Sequence, residues 1–208
     1  MADYCTTAEV KAELAETLGS STDTTYDTLI GTLITSASRL IDGYVGRWDN
    51  YFYPSSDGET RYYDGNNRGT LPVDELVSLT FLGVSELGGV ESTDYVEWSS
   101  SDYFTEPYNY TALNLPITKI IADVENGTKA YSPARRKVVK ITGIFGRSAT
   151  IPADVKQACK VQALRYFMRA KNAYQDAGAN PSMGQMFYVK ELDPDVKLLL
   201  HKYVLENL

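Results

Sequence analysis

The chain has 208 residues, of which 43% are hydrophobic and 23% are charged, and its formal net charge is −7. This composition is that of a folded globular protein and excludes a chain that is disordered throughout. The negative charge argues against a protein that grips duplex nucleic acid, because such affinity comes mostly from lysine and arginine neutralising phosphates. The length allows one large domain or two small ones, and we expect one domain that carries an insertion.

The two cysteines, Cys5 and Cys159, lie far apart in sequence and match no metal-binding spacing. We therefore expect reduced, unpaired thiols and a reducing compartment. Residues 1–4 lack the basic and apolar regions of a signal peptide, and no uncharged apolar run approaches the ~20 residues that span a bilayer. These features predict a soluble protein made in the cytoplasm, without a membrane partner.

A capping box opens the first predicted helix, because Thr6 and Glu9 can satisfy two amide donors at a helix start. Gly19 is a suitable stop for this helix, and residues 20–23 supply a loop and a new cap. A second helix follows, since apolar residues recur at three- and four-residue steps over 26–44. Its apolar face must pack on something large, and we expect the long C-terminal helix to be the partner.

Residues 47–150 differ in character, with turn dipeptides that separate short β-branched and aromatic runs. This segment is therefore predicted to be rich in β-strands. Pro72 is expected at the edge of a strand, where no ladder hydrogen bond is lost. The predicted strands cover residues 59–63, 77–84, 95–98, 117–123 and 138–144.

A long helix is predicted from residue 152 to about residue 174, because a proline in the first turn and Asp154 at the positive end of the dipole favour a helix start. Two apolar strips on it predict burial on two sides, by its own core and by a neighbouring subunit. After a loop, a strand-like run at 186–189 leads to a last helix capped by Asp193.

Together these elements predict an α+β fold. Its core is a helical bundle of two N-terminal helices, the long C-terminal helix and a short last helix, with an inserted β-rich segment. We expect one connector domain over residues 1–208. Its parts are a helical hairpin (1–46), the β-rich insertion with its loops (47–150), and the long helix with a C-terminal docking segment (151–208).

The sequence contains no nucleophile elbow, P-loop, dinucleotide-binding fingerprint or HExxH motif. The single histidine, His201, lies beside Leu198, Leu199 and Leu200, which favours a helix-surface or interface position over catalysis. Paired carboxylates such as Asp193 with Asp195 arise by chance among 27 acidic residues. The sequence therefore predicts no enzyme, no cofactor and no metal site.

Aromatic residues are frequent in and before the β-rich segment, and the first cluster is Tyr51, Phe52 and Tyr53. Such residues suit protein interfaces and sugar-binding platforms, while core packing is the alternative interpretation. A basic cluster that includes Arg135 and Arg136 stands out against the acidic background. It is either a solvated face or a surface that pairs with an acidic neighbour and fixes the register of assembly.

Several segments resemble the head-tail connector family of tailed bacteriophages, whose members are also called adaptor or head completion proteins. They are IDGYVGR at 41–47, TRYYDG at 60–65, DYF at 102–104, PYN at 107–109, ITGIFG at 141–146 and IPADVKQA at 151–158. The last two carry the strongest similarity. The chain departs from the family pattern at residues 123–132 and in its tyrosine-rich loops.

The resemblance implies a non-enzymatic, homo-oligomeric ring, commonly a dodecamer, that docks below the portal protein after DNA packaging. Such a ring presents a platform for the stopper or tail completion protein. The resemblance also implies a virion component at the head–tail interface that is assembled in the host cytoplasm. DNA would be only a passing polymer, and an acidic channel suits this role because weak or repulsive contacts leave DNA free to slide.

The C-terminal segment from residue 184 to residue 208 is expected to contact the portal. A short helix is marginal in isolation and gains stability by packing its apolar face on another surface. The alternative is that the last helix packs back on its own core. The predicted partner-interface residues are Met186, Phe187, Tyr188, Leu198, Leu199, Tyr203, Arg135, Arg136, Tyr51, Phe52 and Tyr53.

Two other functions are compatible with the same patterns. One is a tail-completion or stopper protein, and the other is a carbohydrate-binding module of a tail protein. Gene neighbourhood discriminates between the connector and the carbohydrate-binding module. A position next to portal and capsid genes favours the connector, and a position among tail-fibre genes favours glycan binding.

We predict that the purified protein has no hydrolase or nuclease activity and binds duplex DNA only weakly and in a salt-sensitive manner. The reasons are the absent catalytic motifs and the net charge of −7. Nuclease assays and DNA binding across a salt series would check this, and tight duplex binding at physiological salt would contradict it.

Overall fold

The computed structural model describes residues 3–18, 24–88, 93–125, 129–171, 177–180, 185–188 and 192–205. Over these residues the fold is α+β, with five α-helices and a six-stranded antiparallel sheet. The chain divides into two compact units. The helical unit comprises Met1–Phe52 and Ile151–Leu208, and the sheet unit comprises Tyr53–Thr150. The organisation as one connector domain stays a prediction.

In chain order the elements are α1 (Thr7–Leu18), α2 (Asp27–Val45), β1 (Glu59–Tyr63), β2 (Thr70–Val84), β3 (Val96–Glu97), β4 (Tyr103–Glu106), α3 (Tyr110–Leu113), β5 (Ile117–Ala122), β6 (Val139–Phe145), α4 (Ala153–Lys171), β7 (Ala177–Asn180), β8 (Gln185–Tyr188) and α5 (Pro194–Leu200). A single 3-10 turn, His201–Tyr203, follows α5.

The capping box at the start of α1 is confirmed. The Thr6 amide donates to Glu9 Oε2 at 2.9 Å, and the Glu9 amide donates to Thr6 Oγ1 at 3.3 Å. The predicted stop at Gly19 and the predicted cap at 20–23 lie outside the described residues. The end of α2 is marked by Gly46, which adopts the left-handed conformation with φ of 72°, where glycine carries no Cβ penalty.

Four helices of the helical unit contribute to one hydrophobic cluster. The periodic face predicted for α2 is buried in it, including Ile30, Ile34 and Ile41. Each large aliphatic side chain that is fully buried stabilises the fold by about 1.5–3 kcal/mol. The other helical members are Val10 and Leu14 of α1, Val155, Ala158, Cys159, Ala163 and Phe167 of α4, and Val196 and Leu200 of α5.

A polar line on α2 interrupts this apolar face and holds the segment that precedes α1. The Thr35 hydroxyl donates to Asp3 Oδ2 at 3.2 Å, and Ser38 Oγ accepts from the Tyr4 amide at 3.0 Å. One turn further on, the Tyr4 hydroxyl donates to Asp42 Oδ1. These three α2 residues recur at the helical spacing, so one face of α2 positions the N-terminal residues that precede α1.

The buried carboxylate of Asp42 is fully enclosed and has several partners. Arg39 Nη1 lies 3.0 Å from Asp42 Oδ2, and the Asn50 amide donates to the same oxygen at 3.1 Å. Burial raises the pKa of Asp42 to about 6, while the Tyr4 hydrogen bond and the positive charge of Arg39 oppose this rise. Asp49, also near Arg39, adds a smaller unfavourable charge interaction.

The sheet of the sheet unit has the strand order β1-β6-β2-β5-β4, with β3 paired to β2, and all pairs are antiparallel. The long β2 serves both halves: its first part pairs with β5 and its second part with β6. Pro72 lies opposite Lys119 in the part of β2 that pairs with β5 alone. This placement fits the predicted edge position, since proline lacks a donor for a second ladder.

Interior strand β6 shows why the resemblance motif contains a glycine. Its residues alternate between buried and half-buried positions, the period of a strand with one core face. A Cβ on Gly143 would lie 2.2 Å from the Ser78 carbonyl oxygen of β2. The close approach of these two backbones therefore requires glycine at this position.

Four of the five predicted strands are observed with both ends within one residue of the prediction, and the second predicted strand is longer than predicted. β2 begins at Thr70, seven residues before the predicted start at residue 77, because its first part is stabilised by pairing with β5. β4 was not predicted as a strand. It is a four-residue edge element that pairs on one side only, and its side chains show no alternating burial.

We predict that the Asp42 carboxylate makes the stability of the helical unit pH-dependent. Its pKa is about 6 in the folded protein and 3.8 ordinarily. A raised pKa means that the stabilisation is full below about pH 4 and is lost as the pH rises to about 6, by up to about 3 kcal/mol. Urea unfolding between pH 4 and pH 7 measures this loss.

The matched control is Asp42→Asn, which keeps the size and an acceptor oxygen but cannot titrate. The difference in unfolding free energy between the wild type and this variant should change across that pH range. A difference that stays constant between pH 4 and pH 7 would show that Asp42 is not the titrating group.

Candidate partner interface

Among the described residues there is neither a candidate metal-binding cluster nor a helix suited to span a membrane. Among them, no group of three or more histidine, cysteine, aspartate or glutamate side chains could hold a metal ion. In that same part of the chain, no helix has the length and apolar character needed to cross a membrane.

The first aromatic cluster is divided by the fold. Tyr51 and Phe52 are buried in the hydrophobic core of the helical unit, where their ring centroids lie 4.8 Å apart and Phe52 also meets Tyr4 edge-on. The placement of these two side chains corrects the prediction that they face a partner. They pack in the core instead, and of the three residues of this cluster only Tyr53, which is 43% exposed, lies on the surface.

A cavity of about 510 Å³ in the sheet unit bears on the glycan alternative. Trp98, one of its lining residues, is buried, and its ring stacks on Tyr131 with centroids 5.0 Å apart. A sugar-binding platform needs an open aromatic face. Trp98 offers little such surface, so the cavity does not favour carbohydrate binding.

The last helix packs on the helical unit, which was the alternative interpretation of the C-terminal segment. Val196 and Leu200 of α5 are fully buried in the shared core. The predicted N-cap is confirmed, because Asp193 Oδ1 accepts from the Asp195 amide at 2.9 Å. Arg165 of α4 donates to the other carboxylate oxygen of Asp193 at 2.8 Å, which ties the start of α5 to α4.

The chain beyond α5 is also anchored. The Tyr203 ring lies edge-on to Phe52 with centroids 5.1 Å apart, and the Leu205 amide donates to the Val45 carbonyl at 3.1 Å. Lys202 forms an ion pair with Asp154. Residues 192–205 therefore do not form a segment that can swing away freely, because reorientation would empty part of the core.

One face of α5 nevertheless points to solvent. Leu198 is 79% exposed, whereas Leu199 and Tyr203 are half-buried and pack against the core cluster. Because its neighbours Leu199 and Tyr203 pack against the core, Leu198 can offer an apolar contact to a partner without loss of stability of the folded chain. Met186, Phe187 and Tyr188 belong to β8, which pairs with β7, and their side chains lie outside the described residues.

The predicted basic cluster lies in the turn before β6. Arg135 and Arg136 are both exposed, and Arg135 Nη1 donates to the Leu87 carbonyl at 3.3 Å. The next residue, Lys137, donates its amide to Asp64 Oδ1 at 3.0 Å, and its ammonium group lies 4.9 Å from the Tyr62 ring centroid. The turn thus holds two guanidinium groups at the surface, where an acidic neighbour can reach them.

A second exposed apolar stretch contains aromatic residues that the sequence left open between core packing, a partner interface and a sugar-binding platform. It runs from β4 through α3 to the residues just after α3, where four large hydrophobic residues stand exposed within twelve residues: Phe104, Tyr108, Leu113 and Leu115. Tyr108 is 76% exposed. The available sequence signal was the aromatic density of this stretch, but aromatic density alone does not separate core residues from surface residues.

The fold is shared with structures of gene transfer agent (GTA) particles. One is the neck of an empty GTA particle computed with C6 symmetry, with 18% sequence identity, coverage of 95% of this chain and 90% of that chain, and a TM-score of 0.52. Another is the virion of a native GTA particle, with 17% identity, coverage of 97% and 90%, and a TM-score of 0.52. At these identities the similarity establishes a common fold. No protein-family model matches the chain, and a search of curated proteins gives no match.

We predict that substitutions at two leucines of α5, Leu198 and Leu200, differ strongly in their effect on stability. Leu198→Glu should change the free energy of unfolding by no more than about 0.5 kcal/mol, because the side chain is exposed. Leu200→Ala should cost about 2–5 kcal/mol, because it leaves a cavity in the core. Urea unfolding of both purified variants tests the placement of α5, and equal effects would contradict it.

Proposed function

We propose that the chain is a structural, non-enzymatic neck protein of a phage-like particle, with the role of a head-tail connector or adaptor. In this role it forms a ring between the portal protein and the stopper or tail completion protein, and the ring gives passage to DNA. Its place would be the head–tail interface of a virion that is assembled in the host cytoplasm. No cofactor takes part.

The observation that carries the proposal is the extent of the shared fold. The similarity to a GTA neck structure and to a GTA virion covers 95% and 97% of this chain and 90% of each of the others. Such coverage includes both the helical unit and the sheet unit. The independent resemblance of six sequence segments to phage connectors supports the same role.

The surface of the chain supports a protein that works by contacts. Exposed apolar side chains, which mark interaction sites when they gather on one surface, occur on α5 and in the stretch from β4 to the end of α3. The two exposed arginines before β6 suit pairing with an acidic neighbour, and the chain itself is acidic, with a net charge of −7. Contact between copies of such a chain would place basic turns against acidic surface.

The ring follows from the same proposal. Contacts between different surfaces of identical subunits generate a closed ring when the rotation closes. One similar structure is a neck computed with C6 symmetry, which is compatible with six or twelve subunits. The dodecamer is part of the proposal.

The portal contact is assigned to the C-terminal region in a narrower form than the sequence suggested. Deleting residues 184–208 would remove Val196 and Leu200 from the core, so that deletion cannot separate docking from folding. We assign docking to the exposed face of α5 around Leu198 and to the β7–β8 hairpin. A point substitution at Leu198 is therefore the sharper test.

A stopper or tail-completion role is the second candidate, and the shared neck fold is the observation that favours it. The two roles differ in the partner. A connector binds portal-bearing heads directly, whereas a stopper binds only after a connector is in place.

We predict that the wild-type protein binds purified, DNA-filled, portal-bearing heads and forms a ring on them that is visible by negative-stain electron microscopy. Leu198→Glu should reduce co-sedimentation with heads by about tenfold or more, because a charge placed in a desolvated contact costs at least 1.4 kcal/mol. Val124→Glu, which alters a 69% exposed valine of the sheet unit outside the stretch from β4 to the end of α3, is the matched control and should leave binding to heads unchanged.

Absence of ring density on the heads would contradict the connector role. Equal binding by the wild type and Leu198→Glu would contradict the assignment of the portal contact to α5 while leaving the connector role intact. Binding that requires prior addition of another neck protein would favour the stopper role.

A further inference from the structure

The two cysteines of the chain meet in the core of the helical unit. Cys5 Sγ lies 3.1 Å from Cys159 Sγ, although 154 positions separate the two residues in sequence. Cys159 is fully buried and Cys5 is 4% exposed. Both are free thiols in this structure. The sequence predicted unpaired thiols because it carried no sign that the fold brings them into contact.

Both sulfur atoms are carried by well-anchored backbone. Cys5 follows Tyr4, whose amide and hydroxyl groups are bound by Ser38 and Asp42 of α2, and it precedes the capping box of α1. Cys159 lies in the middle of α4, on the face that packs against α2. The pair is therefore fixed by helix packing and by buried hydrogen bonds, and small side-chain rotations can bring the sulfurs to bonding distance.

We propose that Cys5 and Cys159 are a redox-active pair that closes to an intrachain disulfide when the protein meets a small peroxide oxidant. The disulfide would covalently join the segment before α1 to the centre of α4. This inference does not rest on the proposed function. It adds a modification site that the role in a particle neck neither requires nor implies.

The surroundings assign the two thiols different roles. The Cys5 thiol donates to Cys159 Sγ, and Ser38 Oγ lies 3.5 Å from Cys159 Sγ. The hydrogen bond from Cys5 lowers the pKa of Cys159, whereas the same bond together with burial raises the pKa of Cys5. Cys159 is therefore the sulfur that more readily loses its proton and attacks first.

The reaction balances with hydrogen peroxide as the oxidant. The Cys159 thiolate attacks one peroxide oxygen, the O–O bond breaks, and a sulfenic acid forms at Cys159 with release of water. The Cys5 sulfur then attacks the Cys159 sulfur, the S–S bond forms, and the sulfenic oxygen leaves as a second water. In total two thiols are oxidised and one peroxide is reduced to two waters. The oxidant has to be small, since both sulfurs are buried.

The disulfide would close a very long loop of the chain. A crosslink over 154 positions restricts the unfolded chain strongly, and this restriction stabilises the folded state relative to it. The disulfide removes conformational entropy from the unfolded chain, and Tm rises with the stability that this gives. We therefore expect the melting temperature of the helical unit to rise by about 10 °C on oxidation. Reduction should reverse the change.

The test treats the full-length protein with a reductant or with a stepwise excess of hydrogen peroxide under native conditions. Intact-mass spectrometry should show the loss of two hydrogen atoms, and peptide mapping without reduction should link the Cys5 peptide to the Cys159 peptide. A thiol count after denaturation should fall from two to zero. The melting transition should move upward by about 10 °C and return after addition of a reductant.

The control variants are Cys5→Ala and Cys159→Ala, each first compared with the reduced wild type by circular dichroism. After treatment with peroxide, each variant should either retain its one remaining thiol or oxidise at it without forming a crosslink. The melting temperature of neither variant should rise. If a variant does not fold, the peptide map and the reversible Tm shift of the wild type decide alone. Two thiols that survive peroxide in the folded protein would overturn the proposal, as would crosslinks only between chains, or a disulfide that lowers Tm.

Discussion

The packing of α2 against α4 is the contact on which the helical unit depends. The apolar face of α2 recurs at the helical period, and α4 contributes its own buried face from Val155 to Phe167. Neither helix can hold such a face in water alone, because most helical stability in proteins comes from tertiary packing. Their contact builds the surface on which α1, α5 and the segment before α1 are held.

This central contact is not purely apolar, and its polar residues determine how the N-terminal segment packs against α2. The line of Thr35, Ser38 and Asp42 on α2 offers partners that only one arrangement of the N-terminal segment can satisfy. An unpaired carboxylate in this position would be costly, since a buried charge that lacks partners destabilises a fold by several kcal/mol. The hydrogen bonds to Asp42 thus fix residues 3–5 in a single register, and that register also brings Cys5 to Cys159.

The surfaces available to partners depend on which side chains are buried in the core. The core takes Tyr51, Phe52, Val196 and Leu200, which removes them from any interface of the folded chain. Exposed apolar side chains remain on the outer face of α5. Within the sheet unit, exposed apolar and basic side chains lie in the stretch from β4 to the end of α3 and in the turn before β6. The fold that carries these exposed side chains is shared with structures of GTA particles.

Features that depend on only a few neighbouring residues are encoded locally in the sequence. The capping box of Thr6 and Glu9, the Asp193 cap, the period of α2 and most of the longer strands could be predicted, because their hydrogen bonds or periodicities lie within one element. Tertiary structure alone decided the burial of Tyr51 and Phe52, the anchoring of α5, the existence of β4 and the meeting of the two cysteines. Each of these depends on a partner that comes from another element of the chain, up to 154 positions away, and local rules of propensity and spacing carry no information about such a partner.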